Sequence, residues 1–140
     1  MQIVSIQSIR DNNDASGDGS NNIAVGTQSD ASGENSVNLA TGFLATASGT
    51  TSGNIATGNN AAANGNLSNN IALGGASNAS GDGSLNTALG ALADASGAGS
   101  FNVATGDANA RGAESQNIAT GFLADANGDA SQNVATGVFL

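Results

Sequence analysis

The pattern Asn-[Ile/Val/Leu/Thr]-Ala-x-Gly occurs eight times in 140 residues, and its spacing restricts the fold more than any other feature of the chain. The glycines that close it are Gly26, Gly42, Gly58, Gly74, Gly90, Gly106, Gly121 and Gly137, at steps of 16, 16, 16, 16, 16, 15 and 16 residues. A second pattern, Ala-x-Gly, runs in phase and closes at Gly17, Gly33, Gly49, Gly65, Gly81, Gly97, Gly112 and Gly128, each followed three residues later by a serine. The single missing residue falls between Gly106 and Gly112, ahead of Ala108, and leaves both motifs whole, so it belongs to a loop. Self-similarity at a fixed short period means that one structural unit stacks on the next.

Sixteen residues is too short for helical solenoids, whose units run about 33 to 47 residues. Both motif segments alternate with period two and end in glycine, which is strand behaviour closed by a turn. The predicted fold is therefore all-β: a parallel β-roll, or β-solenoid, of about eight 16-residue coils, each with two short strands and two turns. Coils about 4.8 Å apart would make a rod on the order of 40 Å long. The repeats occupy residues 13–140, while residues 1–12 do not fit them. Ile3, Val4, Ile6 and Ile9 are expected to form an irregular cap or a short strand over the first coil. At the other end Val138, Phe139 and Leu140 follow the eighth glycine directly, where solenoids usually carry a cap, so the chain reads as a fragment of a longer one.

Alternation assigns the faces. In the first segment Asn22, Ala24 and Gly26 share one side, and Ile23 and Val25 the other; in the second, Ala45, Ala47 and Gly49 oppose Thr46 and Ser48. Only the two alanine sides are small and uniform enough to pack together inside a narrow coil. That puts Asn22, Asn38, Asn54, Asn70, Asn86, Asn102, Asn117 and Asn133 in an interior ladder whose stacked amides are expected to bond up and down the rod. The serines are expected to bond backbone at the adjoining bend. Outside runs a stripe of Ile23, Leu39, Ile55, Ile71, Thr87, Val103, Ile118 and Val134, beside Val25, Thr41, Thr57, Leu73, Leu89, Thr105, Thr120 and Thr136. An apolar stripe of that length in water is an association site, and the economical partner is a copy of itself around a rotation axis. The opposite sheet, with Asp30, Thr46, Asn78, Asp94, Asn109 and Asp125 outward, is the wet face.

Composition removes most chemistry. The chain has no His and no Cys, which takes away the usual zinc sites, activated nucleophile pairs and disulfides. Eleven acids against two bases, Arg10 and Arg111, give a net charge of −9, so a nucleic-acid phosphate backbone is excluded as a partner. No lysine completes a phosphate-binding loop, no apolar run is long enough to span a membrane, and MQIVSIQSIR has neither the basic nor the apolar region of a signal peptide.

Sharper readings meet plainer ones. Asp14-Ala-Ser-Gly-Asp18-Gly imitates the start of an EF-hand loop, but Val25 stands where a bidentate Glu is needed, and acids on a solvated face explain the same residues. Paired carboxylates for glycoside cleavage would need a cluster in a groove, whereas these acids lie on different turns. A threonine rank suited to ice is interrupted by Val25, Leu73 and Leu89. Phe43-Leu44, Ala91-Leu92 and Phe122-Leu123 sit in the bend after the first strand, as adhesive contacts or, more simply, as filling between neighbouring chains; Phe101 occupies a position that tolerates Asn, Val, Gly, Leu and Gln in other copies. No catalytic residue, cofactor or metal site is expected.

The alternation of N-x-A-x-G with A-x-A-x-G over residues 15 to 140 resembles the head repeats of trimeric autotransporter adhesins, the YadA-like head. The resemblance implies a left-handed roll, a homotrimer, and display on the surface of a Gram-negative bacterium. It implies an outer-membrane anchor and a stalk lying outside this chain, and a role in cell adhesion and virulence through host extracellular-matrix proteins or cell-surface receptors. The apolar stripe would then be the trimer interface. The alternative is a purely structural spacer rod in a surface or phage-type fibre, without a ligand of its own.

Overall fold

The computed structural model describes residues 6–7 and 12–137. The branched residues of the stripe form the outer positions of three-residue strands, with the motif alanine pointing inward between them. The strands are β1 (Ile6–Gln7), β2 (Ile23–Val25), β3 (Leu39–Thr41), β4 (Ile55–Thr57), β5 (Ile71–Leu73), β6 (Thr87–Leu89), β7 (Val103–Thr105), β8 (Ile118–Thr120) and β9 (Val134–Thr136). They make one parallel sheet in chain order. Every residue pairs with its equivalent one repeat later: Ile23 with Leu39, Leu39 with Ile55, and so on to Ile118 with Val134. No helix interrupts this order among the described residues, so the chain is an all-β parallel solenoid. Of the N-terminal residues, β1 sets Ile6 in register with Ile23. Ile3, Val4 and Ile9, and Val138, Phe139 and Leu140 at the other end, lie outside the described residues.

The second segment departs from the expectation of a full strand. Its residues pair only through single bridges, Asp14 to Asp30, Asp30 to Thr46, and onward to Asp125. Left-handed backbone on either side cuts it short: Leu44 at φ 56° precedes Thr46, and Thr51 at φ 53° follows. The hydrogen bonding across it is still that of a parallel ladder, with Asp30 N–H donating to Ala45 O at 2.9 Å and Ala47 N–H to Asp30 O at 2.7 Å.

The two sides close on a thin core. The buried residues, among those described, are alanine, serine and asparagine, with no larger aliphatic side chain. Such a core brings the backbones of successive coils together, most tightly at the glycines. At Gly33 (φ 149°) an added Cβ would fall inside the van der Waals envelope of Gly49 O, so neither the backbone conformation nor the space admits a side chain. The one-residue deletion is absorbed in the bend after β7. Asp94 still bridges Asn109 and Val103 still pairs with Ile118, while Gly106 relaxes to φ 89° from the 134° of Gly90. Between Gly106 and Gly112 no residue takes the left-handed conformation that Leu44, Asn60, Ala76, Leu92 and Leu123 have in the other bends.

Two glycine variants separate space from conformation. Gly33→Ala meets both penalties and is expected to cost about 3 kcal/mol or more in chemical denaturation. Gly83→Ala, at φ 60° with nothing within 4 Å of its Cβ, is expected to cost about 1 kcal/mol. Equal losses would contradict the tight coil-to-coil approach at Gly33.

Candidate functional site: an asparagine-tied core and an uncharged face

The eight ladder asparagines occupy one interior position, and Asn22 through Asn117 are at most 1% exposed. Burying a carboxamide is expensive unless both its donors and its acceptor are paired. Asn54 shows how this is met. Its Nδ2 donates to Ser48 O (3.2 Å) across its own coil and to Gly65 O (2.8 Å) in the next. Its Oδ1 accepts from Asn70 N–H (3.0 Å) and from Ser68 Oγ (2.9 Å). Ser68 Oγ also lies 2.6 Å from Gly65 O, so its one proton is shared between two acceptors. The amides thus do not bond one another. Each ties its coil's two sides together and then grips the backbone of the following coil, because the nearest unpaired groups are main-chain ones at the bends.

The same bonds recur around Asn22, Asn38, Asn70, Asn86, Asn102 and Asn117, while Asn133 in the last coil donates to Asn127 O and Ser131 Oγ. Truncation shows what one amide holds. Asn70→Ala orphans the buried Asn86 N–H and takes one of two donors from Asn64 O and from Gly81 O, which keep Gly81 N–H and Ser84 Oγ. The expected loss is about 2–4 kcal/mol in urea unfolding. A loss under about 1 kcal/mol would mean that the amide is dispensable.

On the outside, β2 to β9 carry the stripe residues Ile23, Leu39, Ile55, Ile71, Val103, Ile118 and Val134 in one rank, with Val25, Leu73 and Leu89 in the rank beside it. They range from half-buried to exposed. A third rank, two residues ahead of the first, points the same way: Asn21, Val37, Gly53, Asn69, Leu85, Phe101, Gln116 and Gln132. The variety of its residues made this position read as permissive in the sequence, although period-two parity places it on that face. Val37, Leu85 and Phe101 are exposed there.

Not one of the three ranks holds a charged residue. Among the described residues the acids are elsewhere: Asp14, Asp30, Asp94 and Asp125 at the bridge positions of the opposite side, Asp18, Glu34, Asp82, Glu114 and Asp129 at the second bend, and Asp107 in the bend after β7. Arg111 makes an exposed pair with Asp94 at 3.6 Å, on that opposite side too. A shallow groove of about 510 Å³ lies in the uncharged face, lined by Phe101, Val103, Gln116, Ile118, Gln132 and Val134. Among the described residues no three His, Cys, Asp or Glu side chains converge as a metal would need. No protein-family model, no curated protein and no solved structure matches this chain.

Proposed function

We propose that this chain is the surface-exposed head region of a trimeric autotransporter adhesin, in which three left-handed rolls stand side by side around one axis. In this reading the head attaches a Gram-negative bacterium to host extracellular-matrix or cell-surface components. The observation that carries the proposal is the uncharged apolar face. A chain of net charge −9 keeps every charged residue off three adjacent ranks that run the length of its sheet. Three such chains approach one another through those ranks without bringing acids together, and they withdraw aliphatic surface from water at about 25 cal/mol per Å². The acid-bearing side then faces solvent, where near-identical coils offer repeated weak contacts that act through avidity.

Light scattering on a sizing column tests the assembly: three chains of 13.3 kDa give a mass of about 40 kDa, and a folded 13.3 kDa monomer overturns the reading. Ile71→Asp, in the central rank, is expected to break the trimer, whereas Asp94→Asn on the opposite side leaves it intact. Equal effects of the two would sink the assignment of faces. Saturable binding to collagen, fibronectin or laminin supports attachment; flat titrations against all three favour a spacer rod without its own ligand.

A further inference from the structure

Every ladder asparagine is followed two residues later by alanine, and of all the asparagines in the chain only Asn66 and Asn78 are followed at that distance by serine, in Asn66-Leu67-Ser68 and Asn78-Ala79-Ser80. Asn-x-Ser is the acceptor pattern for N-linked glycans, read through the amide nitrogen and the hydroxyl two residues on. Whether that nitrogen is spare depends on the fold. In the ladder, Asn54 commits both protons of Nδ2 to carbonyls. At Asn66 and Asn78 the coil uses the side-chain oxygen alone. Asn66 Oδ1 accepts from Thr50 N–H at 2.9 Å and Asn78 Oδ1 from Ser80 N–H at 3.1 Å, while Nδ2 of neither donates to another described residue. Asn66 is exposed and Asn78 half-buried, with its nitrogen reaching solvent. Aspartate stands at the same two places in other coils and makes the same bonds. Asp82 Oδ1 accepts from Asn66 N–H at 2.8 Å and Asp129 Oδ1 from Ala113 N–H at 2.9 Å. Asp30 and Asp94 likewise accept from Ser32 and Ser96 N–H, at 2.8 and 3.0 Å. A carboxylate offers only acceptor oxygens, so the coil requires an oxygen at these places and has no use for an amide nitrogen.

We infer that Asn66 and Asn78 are acceptor sites for N-linked glycans, with the spare amide nitrogen as the nucleophile. The co-reactant is a sugar carried on a diphosphate leaving group and brought by a separate transferase. Nδ2 attacks the anomeric carbon, and the C1–N bond forms as the C1–O bond to phosphate breaks. The diphosphate leaves with that electron pair, and Nδ2 gives up one of its two protons. Oδ1 is untouched, so both hydrogen bonds to the backbone survive the modification. There is room for a sugar at each site. Asn66 lines a shallow groove of about 470 Å³ together with Ser48, Asn64, Ser80 and Asp82, and the bridge partner of Asn78 is the small Ala62. Ser68 is buried, its hydroxyl bonded to Asn54 Oδ1 and Gly65 O, so a transferase that reads it acts before this coil closes. Neither asparagine belongs to the three uncharged ranks, so the glycans leave that face bare.

The inference goes beyond the trimeric reading and does not depend on it. The test is peptide mass spectrometry of the protein isolated from the cells that make it, with Asn66→Asp, Asn78→Asp and the double variant produced in the same cells. The parent is expected to carry one glycan at each of the two sites and none on a ladder asparagine. Each single variant is expected to lose one glycan, and the double variant both. Because aspartate already fills these places in other coils, all three variants are expected to keep cooperative urea unfolding, so loss of the glycan is not loss of the fold. An unmodified peptide in the parent overturns the inference at that site, and a glycan that persists in the double variant overturns it at both. Light scattering keeps the assembly separate. A monomer bearing both glycans overturns the trimer alone, and a trimer bearing none overturns the glycan sites alone.

Discussion

A buried carboxamide that reaches from one coil into the next is the interaction on which the rest of this structure depends. An interior of alanine, serine and asparagine releases little apolar surface from water, so burial alone gives a weak driving force per coil. What it permits instead is close backbone approach, and each interior asparagine uses that approach to bond two carbonyls and one main-chain N–H. Were the core wider, with leucine or isoleucine inside, the amide would reach neither Ser48 O nor Gly65 O from the position of Asn54. Glycine at the bends and asparagine in the ladder are therefore two halves of one requirement.

Quasi-one-dimensional stability follows. Each coil contacts the coils before and after it, and the sheet pairs only neighbours in chain order. An error in one bend stays local provided the ladder keeps its register. The shortened arc after Gly106 illustrates the tolerance: a residue is missing, and Asn117 N–H still donates to Asn102 Oδ1 at 2.9 Å. With the interior so uniform, differences between coils are confined to the outside. There the chain sorts its residues sharply, with acids on one side and at the bends, and aliphatic and neutral polar residues on the other. Sorting of this kind has no role inside a single roll, and it is the physical ground for reading the uncharged face as a meeting surface between copies.

Coil length, the parallel register and the inward and outward residues of the first segment were legible in the sequence. A 16-residue period and period-two alternation are local properties that any stacking of the repeats must respect. The bonding of Asn54 was not legible, because its partners lie six residues back and 11, 14 and 16 residues ahead, and only the stacked geometry shows that main-chain groups come nearer than the next amide. Nor was the reduction of the second segment to single bridges, since left-handed Leu44 and Thr51 carry no mark of that conformation in their residue types. The rank of Val37, Leu85 and Phe101 lay between these cases. Parity assigned its side, but the mixture of residue types made the position read as merely permissive until the stacked coils set Val37, Leu85 and Phe101 exposed beside the stripe. Repetition is written along the chain; what neighbouring coils offer one another exists only once they are 4.8 Å apart, to about that spacing.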